Sequence, residues 1–405
     1  MRNLRSQSKR LIPGMVLTFT LAVALVFAPQ PTQAQTFTVL YTFTGGADGR
    51  QPLSGLILDN KGNVYGTTNL GGSGLLGCPS GCGTVFKVDS AGNETVLHNF
   101  GETVTDGAYP VYGSLLRDGA GNLYGTTLYG GTDYSGTIFR LSASSKETVL
   151  SFTGGAKGGF PYAGLTPDSA GNVYGTTYYR GTGCPPYGCG TVFKVSSAGK
   201  ETVLYSFTGG ADGGYLWDGV VRDSAGNLYG TTLNGGTSNY GTVFKVDPSG
   251  NKTILHSFTE GEDGGDPYAG LIRDSAGNLY GTTSAGGSFG AGTVFKVDST
   301  GNETVLYNFC SKSQCEDGEA PFAGLAMDSA GNLYGTTLLG GFDLYYGVVF
   351  KLDPTGKETV LYNFTGSDDG GLTYAGVVQD SAGNIYGTTP SFGAYGYGTV
   401  FKITP

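Results

Sequence analysis

The hydrophobic positions of this chain fall into short runs that return in the same order about every 50 residues. The runs read A-G-L-x-x-D (as in Ala269–Asp274), N-L-Y-G-T-T, G-T-V-F-K-V and E-T-V-L-Y-S-F. Val, Tyr, Phe, Thr and Ile dominate all but the first run, as β-strands prefer. The pattern therefore predicts four strands per unit, which we name a, b, c and d in this order.

Turn residues separate the predicted strands. D-S-A-G-N joins strands a and b, and D-P-S-G-N or D-S-T-G-N joins strands c and d. In the fourth unit we expect Asp223, Gly226 and Asn227 to form the a–b turn. Gly230, inside strand b, would let a neighbouring sheet approach closely.

The Y-G-T-T phrase of strand b occurs seven times, at intervals of 50 to 59 residues. It begins at Tyr65, Tyr124, Tyr174, Tyr229, Tyr280, Tyr334 and Tyr386. The c and d phrases also occur seven times, and periods near 50 residues are typical of propeller blades or solenoid coils. Four antiparallel strands repeated radially describe a β-propeller.

The chain begins and ends out of phase with its repeat. It opens on a lone d strand, Thr38–Phe43, and closes on a lone c strand, Gly398–Ile403. The first strand can complete the last blade, which closes the ring and removes free sheet edges. We therefore predict an all-β fold, a seven-bladed β-propeller of four-stranded antiparallel blades over residues 35–405.

The N-terminus resembles a targeting segment. Four basic side chains lie in the first ten residues: Arg2, Arg5, Lys9 and Arg10. An apolar run, Leu11–Ala28, and a small residue at Ala34 follow. We interpret residues 1–34 as a signal peptide, with an uncleaved membrane anchor as the alternative. The protein is then exported: secreted, periplasmic or on the cell surface.

Charge and cysteine content narrow the possible partners. The net charge is −9 and no basic cluster follows the first ten residues, so nucleic acid is not expected as a partner. Six cysteines form three close pairs: Cys78/Cys82, Cys184/Cys189 and Cys310/Cys315. Local pairs in an exported chain predict disulfides, whereas zinc is disfavoured because no pair has C-x-x-C spacing. We expect a monomer.

The repeated phrases resemble those of known repeat families. G-L-I-R-D-S-A-G-N-L-Y is similar to the strand a–turn–strand b core of NHL-type propeller repeats. The whole unit, from Thr36 to Pro405, more closely resembles the GloVer tandem repeat of bacterial "choice-of-anchor" surface proteins. That resemblance implies export and a variable C-terminal anchor, and we do not expect an anchor within the sequence up to Pro405. It implies no established activity.

The d–a and b–c loops should share one face of the propeller, and their sequences vary most. The b–c loops are rich in Gly and Tyr, as in Leu128–Ser135, Tyr178–Cys189 and Leu338–Tyr346. Tyrosines on such loops offer flat amphipathic surface suited to sugars or proteins. The alternative is that the rings only fill gaps between neighbouring loops.

Aromatic residues also recur just before strand a, near the expected channel mouth. The seven positions are Leu53, Val111, Tyr162, Trp217, Tyr268, Phe322 and Tyr374. The fourth unit places Asp218 where others have Ala, a small residue or an aromatic one. We predict ligand binding by Tyr162, Trp217, Asp218, Tyr268, Phe322 and Tyr374, together with Asp266. The alternative is an aromatic ring that packs the channel.

Acidic residues recur in the d–a loops. They are Asp48, Asp106, Asp212, Asp263, Asp317 and Asp369, with Lys157 in the third unit. We expect each carboxylate to accept backbone N–H bonds in its own turn, with calcium or a polyol as the weaker alternative. The most acidic loop, containing Glu262, Asp263 and Asp266, lacks the ligand order of an EF-hand.

Catalytic groups are scarce. His98 and His256 occupy the strand d position that carries Tyr in other units, so we interpret both as structural rim residues without a triad or metal role. We therefore predict a non-catalytic binding protein for a polysaccharide or a partner protein. The alternatives are a carboxylate-dependent polysaccharide hydrolase or lyase, and a purely structural surface protein. No cofactor is expected.

Overall fold

The computed structural model describes residues 35–73, 77–103 and 105–405, and within them the chain folds into seven four-stranded antiparallel sheets. Each sheet is one blade, and blades 1 to 7 follow the chain. The predicted signal peptide lies outside the described residues. The fold prediction is confirmed.

The four strands differ in length along every blade. Strand a is Ile57–Leu58, Leu116–Arg117, Thr166–Pro167, Val221–Arg222, Ile272–Arg273, Ala326–Met327 and Val378–Gln379. Strand b is Val64–Thr68, Leu123–Thr127, Val173–Thr177, Leu228–Thr232, Leu279–Thr283, Leu333–Thr336 and Ile385–Thr389. Strand c is Thr84–Val88, Thr137–Leu141, Thr191–Val195, Thr242–Val246, Thr293–Val297, Val348–Leu352 and Thr399–Thr404. Strand d is Glu94–Asn99, Glu147–Ser151, Glu201–Ser206, Lys252–Ser257, Glu303–Asn308, Glu358–Asn363 and, for blade 7, Thr36–Thr42.

Short elements occupy the loops between these strands. Gly107–Ala108 pairs with Tyr129–Gly130, and 3-10 turns form at Gly155–Lys157, Gly210–Asp212 and Ser313–Cys315. Strand a, at two residues, is shorter than the predicted stretch Ala269–Asp274.

The N-terminal strand closes the ring as predicted. Thr36–Thr42 pairs antiparallel with Thr399–Thr404, in a register that sets Thr36 opposite Thr404. Phe37 stacks on Tyr362 of blade 6 with ring centroids 3.7 Å apart. The first described strand is therefore held by its own sheet and by the preceding blade.

The side chains of the repeated D-S-A-G-N-L-Y-G-T-T phrase explain why it recurs. In blade 4 the Asp223 carboxylate accepts hydrogen bonds from the Asn227 backbone N–H at 2.8 Å and from the Tyr229 hydroxyl at 3.0 Å. Burial opposes ionisation of Asp223, but these hydrogen bonds outweigh it and lower the pKa of the carboxyl. The a–b turn prediction is confirmed, and the tyrosine belongs to the same local network.

The glycine of this phrase is required by its own blade. Gly230 lies opposite Phe244 of strand c, and a Cβ added at Gly230 would meet Phe244 Cζ at 2.8 Å. The prediction that this glycine admits a neighbouring sheet was therefore wrong. It leaves room for a cross-strand phenylalanine that is fully buried.

The two threonines of the phrase face different partners. Thr232 pairs its hydroxyl with that of Thr242 on strand c at 2.9 Å. Thr231 donates to the Ala269 carbonyl of the next blade at 2.9 Å. Thr388 makes the corresponding bond to the Ser54 carbonyl at 3.2 Å, so this contact also joins blade 7 to blade 1.

The hydrophobic core lies between the blades. Across the described chain, seven clusters each combine buried residues of two adjacent blades, such as Phe207 of blade 3 with Phe244 of blade 4.

Three disulfides are present in the described parts, and they have the predicted pairing: Cys78–Cys82, Cys184–Cys189 and Cys310–Cys315. They suit an oxidising, extracellular environment. No described helix is long and apolar enough to span a bilayer.

Candidate functional site

The d–a and b–c loops meet on one face of the propeller. Short bridges join them in every blade, for example Gly159 with Tyr179 and Gly214 with Asn234. The residue just before the Pro-Tyr-Ala-Gly position has a left-handed backbone, as at Phe160 (φ 59°). Its N–H donates to the Ser135 carbonyl in the preceding b–c loop at 2.7 Å. These bonds position the aromatic residues that follow.

Five of the predicted site residues lie in ring contact around the channel mouth. The centroid of Trp217 lies 4.9 Å from that of Tyr162 and 5.1 Å from that of Tyr268. Phe322 continues the row, 4.4 Å from Tyr268 and 5.8 Å from Tyr374. These rings, together with Tyr112 described next, form the channel cluster. Their side chains are half-buried, so the cluster both fills the mouth and faces solvent.

Tyr112 completes this cluster, and the sequence interpretation missed it. Its ring centroid lies 6.1 Å from that of Tyr162 and 6.0 Å from that of Tyr374, so it bridges the two ends of the row, and it also lies 5.1 Å from Trp217. Burial, with the neighbouring tyrosines, raises the pKa of Tyr112 to about 12. Val111, which holds in blade 2 the position that is aromatic in five other units, is buried instead. The available signal was that Tyr112 replaces the alanine of the repeat, at the same position as Asp218.

Asp218 lies in the wall of the central channel below the aromatic rings. It lines two adjoining cavities of about 210 and 220 Å³, together with Ser114 and Gly324. Its carboxylate accepts the backbone N–H of Gly219 at 2.6 Å and that of Gly270, in the next blade, at 2.8 Å. Burial raises the pKa of Asp218 despite these two hydrogen bonds.

A second row of aromatic rings runs from blade to blade over the loops of blades 2 to 4. It consists of Tyr109, Tyr129, Phe160, Tyr179 and Tyr215, each ring edge-on to the next with centroids 5.6 to 6.0 Å apart. We call this row the aromatic arc. Tyr178 joins it to the channel cluster, 4.5 Å from Tyr179 and 4.8 Å from Tyr162. Such edge-to-face contacts stabilise aromatic pairs.

The aromatic arc is confined to one side of the face. In blades 5 to 7 the residues that correspond to Phe160 and Tyr215 are Asp266, Ala320 and Leu372. Asp266 also does not line either of the two cavities beside Asp218. Its N–H donates to the Tyr240 carbonyl at 3.0 Å, and burial together with Glu260 raises the pKa of its carboxyl. Asp266 lies beside the other predicted site residues rather than among them.

The d–a loop aspartates accept backbone N–H bonds within their own turns, as predicted. Asp212 accepts the Thr208 N–H at 2.7 Å and the Tyr205 hydroxyl at 2.7 Å. Asp369 accepts the Thr365 N–H at 2.9 Å in the same way. The hydroxyl contact from strand d was not predicted. It fixes the loop that carries the aromatic residues.

Comparisons with known proteins place the chain in a family. The sequence matches the Gloeobacter/Verrucomicrobia repeat over residues 25–185 and again over 183–401. The chain belongs to this repeat family. The resemblance inferred from the phrases is thereby confirmed, and the described chain shows that its repeats form propeller blades. No curated protein matches the sequence.

Solved structures of low sequence identity share the fold. Virginiamycin B lyase from Staphylococcus aureus is 12% identical with a TM-score of 0.57, covering 92% of this chain and 99% of that chain. The extracellular domain of a one-component system from B. thetaiotaomicron is 12% identical with a TM-score of 0.55, covering 91% of this chain and 40% of that chain. A puromycin hydrolase is 16% identical with a TM-score of 0.54, covering 85% of this chain and 50% of that chain. At such identities the likeness shows the propeller fold alone.

Proposed function

We propose that this protein is an exported, non-catalytic binding protein that takes a polysaccharide on the aromatic arc and the channel cluster. The observation that carries the proposal is the confinement of the arc to blades 2 to 4. A repeat that needed these rings for folding would carry them in every blade. Their presence in three of seven blades supports a role in recognition.

The chemistry of the surface favours a sugar. A pyranose ring has an apolar C–H face and a polar rim, which match the ring and the hydroxyl of tyrosine. Within the arc Tyr129 is 43% exposed, whereas the rings of the channel cluster are half-buried. A polysaccharide chain can therefore follow the row of rings from the loops to the channel mouth. A partner protein is the alternative ligand.

One side chain favours the alternative function, that of a polysaccharide hydrolase or lyase. Asp218 lines the channel and its carboxyl has a raised pKa, as a general acid requires. Glycoside cleavage ordinarily needs two carboxyl groups. Among the described residues that line the two cavities, Asp218 is the only acidic one. The binding proposal therefore has the stronger support.

Affinity electrophoresis against a panel of polysaccharides tests this proposal. We expect at least one polysaccharide to retard the wild-type protein. Trp217→Ala and Tyr129→Ala should each bind it about tenfold more weakly than the wild type, because stacked aromatic anchors contribute on the order of 1–2 kcal/mol. Tyr395→Ala is the matched control, since Tyr395 is 61% exposed on blade 7, away from the arc. Equal losses in all three variants would contradict the proposed site. Binding to a protein but to no polysaccharide would support the alternative ligand.

A further inference from the structure

A recurring contact joins neighbouring blades at the outer rim of the propeller. The first residue of strand d meets the d–a loop that follows strand d of the preceding blade; we call each such contact a rim seam. At the seam of blades 3 and 4, Lys252 Nζ lies 2.6 Å from Asp212 Oδ1. At the seam of blades 5 and 6, Lys312 Nζ lies 2.6 Å from Glu358 Oε2. In both seams a lysine neutralises a carboxylate.

The seam between blades 1 and 2 is built differently. It brings together His98 of strand d in blade 1, Asp106 of the following loop, and Glu147, which opens strand d of blade 2. His98 Nε2 lies 3.6 Å from Asp106 Oδ1 and 3.4 Å from Glu147 Oε1. The ligand atoms of the three residues all lie within 4.8 Å of one another. The ion pairs described at this seam involve only these three residues.

Two of the three facing atoms, one on His98 and one on Glu147, are buried and make no hydrogen bonds. The Asp106 side chain is 3% exposed and that of His98 is 13% exposed. Neither His98 Nε2 nor Glu147 Oε1 has a hydrogen-bond partner. Both separations from Nε2 exceed the usual 2.7–3.2 Å of an N–H···O bond. Buried polar atoms without partners are uncommon and costly, so this arrangement requires an explanation.

The two separations from His98 Nε2 match edges of a metal coordination tetrahedron. Zinc lies about 2.0–2.1 Å from a histidine nitrogen and about 2.0–2.2 Å from a carboxylate oxygen. Two such ligands at the tetrahedral angle are about 3.4 Å apart. The His98–Glu147 and His98–Asp106 separations agree with this value to within a few tenths of an ångström. A cation at the centre would also satisfy both unpartnered atoms.

The surrounding backbone holds the aspartate in place. Asp106 Oδ1 accepts the Gly107 N–H at 2.7 Å, and Oδ2 accepts the Glu102 N–H at 3.1 Å. Outer hydrogen bonds of this kind orient metal-binding carboxylates. The carboxylate is therefore fixed with one oxygen towards His98 before any ion arrives.

The second histidine provides an internal comparison. His256 occupies the same strand d position in blade 4, and its Nε2 lies 3.1 Å from Asp263 Oδ2. That distance is an ordinary hydrogen bond, so the nitrogen of His256 already has a partner. The sequence analysis interpreted both histidines as structural, but the structure shows a hydrogen-bond partner for His256 Nε2 and none for His98 Nε2.

We propose that His98, Asp106 and Glu147 bind one divalent transition-metal ion of the zinc type, which ties blade 1 to blade 2 at the rim. One imidazole and two carboxylates suit zinc, whereas calcium prefers an all-oxygen ligand set. Water would complete the four-coordinate shell. The ion would neutralise the two carboxylates here, as lysine does at the other seams described above.

Zinc titration of the metal-stripped protein, produced without a histidine tag, tests this site. Isothermal calorimetry should give one zinc per chain for the wild type, and zinc should raise its melting temperature, since a ligand that binds only the folded state stabilises it. His98→Tyr should weaken zinc binding at least tenfold and abolish the zinc-dependent shift. This variant should fold, because Tyr stands at the same position in other blades, as at Tyr205 and Tyr307.

Two further variants decide the assignment. Glu147→Gln should also weaken zinc binding at least tenfold, because a neutral amide is a poor zinc ligand. His256→Tyr, the matched control, should bind zinc as the wild type does. Cobalt in place of zinc should give the visible absorption of a tetrahedral ion in the wild type and in His256→Tyr only. A wild type that binds no zinc, or equal affinity in wild type and His98→Tyr, would overturn the proposal.

Discussion

Replacing Gly230 with alanine tests whether the glycine of the strand b phrase is required because a phenylalanine packs against it. A Cβ at this position would lie 2.8 Å from Phe244 Cζ, 3.1 Å from Phe244 Cε1 and 3.2 Å from Val220 Cγ1. Carbon atoms in ordinary contact are about 3.5–4.0 Å apart, so the phenylalanine must move by about 0.7 Å or more. Phe244 is fully buried, so its neighbours must move as well. Overpacking of this kind costs about 1–3 kcal/mol.

Gly119→Ala is the matched control for this prediction. Gly119 lies in the a–b turn of blade 2, nothing would lie within 4 Å of its Cβ, and most other units carry Ser there. Both substitutions restrict the unfolded chain by a similar amount, about 0.4–1 kcal/mol in favour of folding. Their difference in unfolding free energy, measured by urea denaturation and circular dichroism, therefore isolates the steric effect. Equal stability of the two variants would refute the proposed role of Gly230.

A double-mutant cycle between Gly230 and Phe244 tests whether the alanine acts through this contact. Phe244→Leu alone should destabilise the protein by leaving a cavity. In the presence of Gly230→Ala the smaller side chain relieves the clash, so the two losses should not add. Additive losses would mean that the alanine acts through another contact.

Further predictions concern ring closure, the a–b turn and pH. Thr388→Val should lower the unfolding free energy by about 1 kcal/mol, because it removes the hydrogen bond to the Ser54 carbonyl; an unchanged urea midpoint would contradict this. Asp223→Ala should lower the unfolding free energy by about 2 kcal/mol, since it removes a carboxylate that accepts three hydrogen bonds in one turn; Gly119→Ala in the matching turn of blade 2 should not lower it. Burial and the neighbouring Asp48 raise the pKa of Glu94 to about 7, so the folded protein keeps a proton that the unfolded chain releases near pH 4.5. Stability should therefore fall as pH rises from about 4.5 to 7, and Glu94→Gln should make this fall smaller; an identical pH profile would show that Glu94 does not titrate there.

The fold could be predicted because each repeated phrase specifies contacts inside one blade or with the next blade. Asp223 and Tyr229 are six residues apart, and Gly230 opposes Phe244 on the next strand of the same blade, across the b–c loop. Because these local contacts recur in seven copies, the sequence pattern predicts the blade, and the out-of-phase ends of the repeat predict how the ring closes. The error over Gly230 arose because sequence does not show on which side of a strand a large ring will lie.

The candidate site was predicted only in part, because its residues meet across blades. The aromatic position before strand a predicted that Trp217 and its neighbours lie at the channel mouth, where the structure has them in ring contact. Tyr112 was missed because it lies at a position that carries Ser or Ala in five of the other six units, and its contacts across the channel depend on how the blades are arranged around it. Glu147 was not connected with His98 because strand d of one blade meets the loop of another, 49 positions away in this case.

Hydrogen–deuterium exchange with and without a bound polysaccharide tests the central claim most directly, namely that the repeated phrases are scaffold and that recognition lies where the blades differ. We expect protection in the d–a and b–c loops of blades 2 to 4, at residues 109–112, 129–134, 160–162, 178–180 and 215–217. The a–b turns, such as 223–227, should exchange at unchanged rates. Protection of the a–b turns, or of the loops of blades 5 to 7 in place of the aromatic arc, would contradict the account.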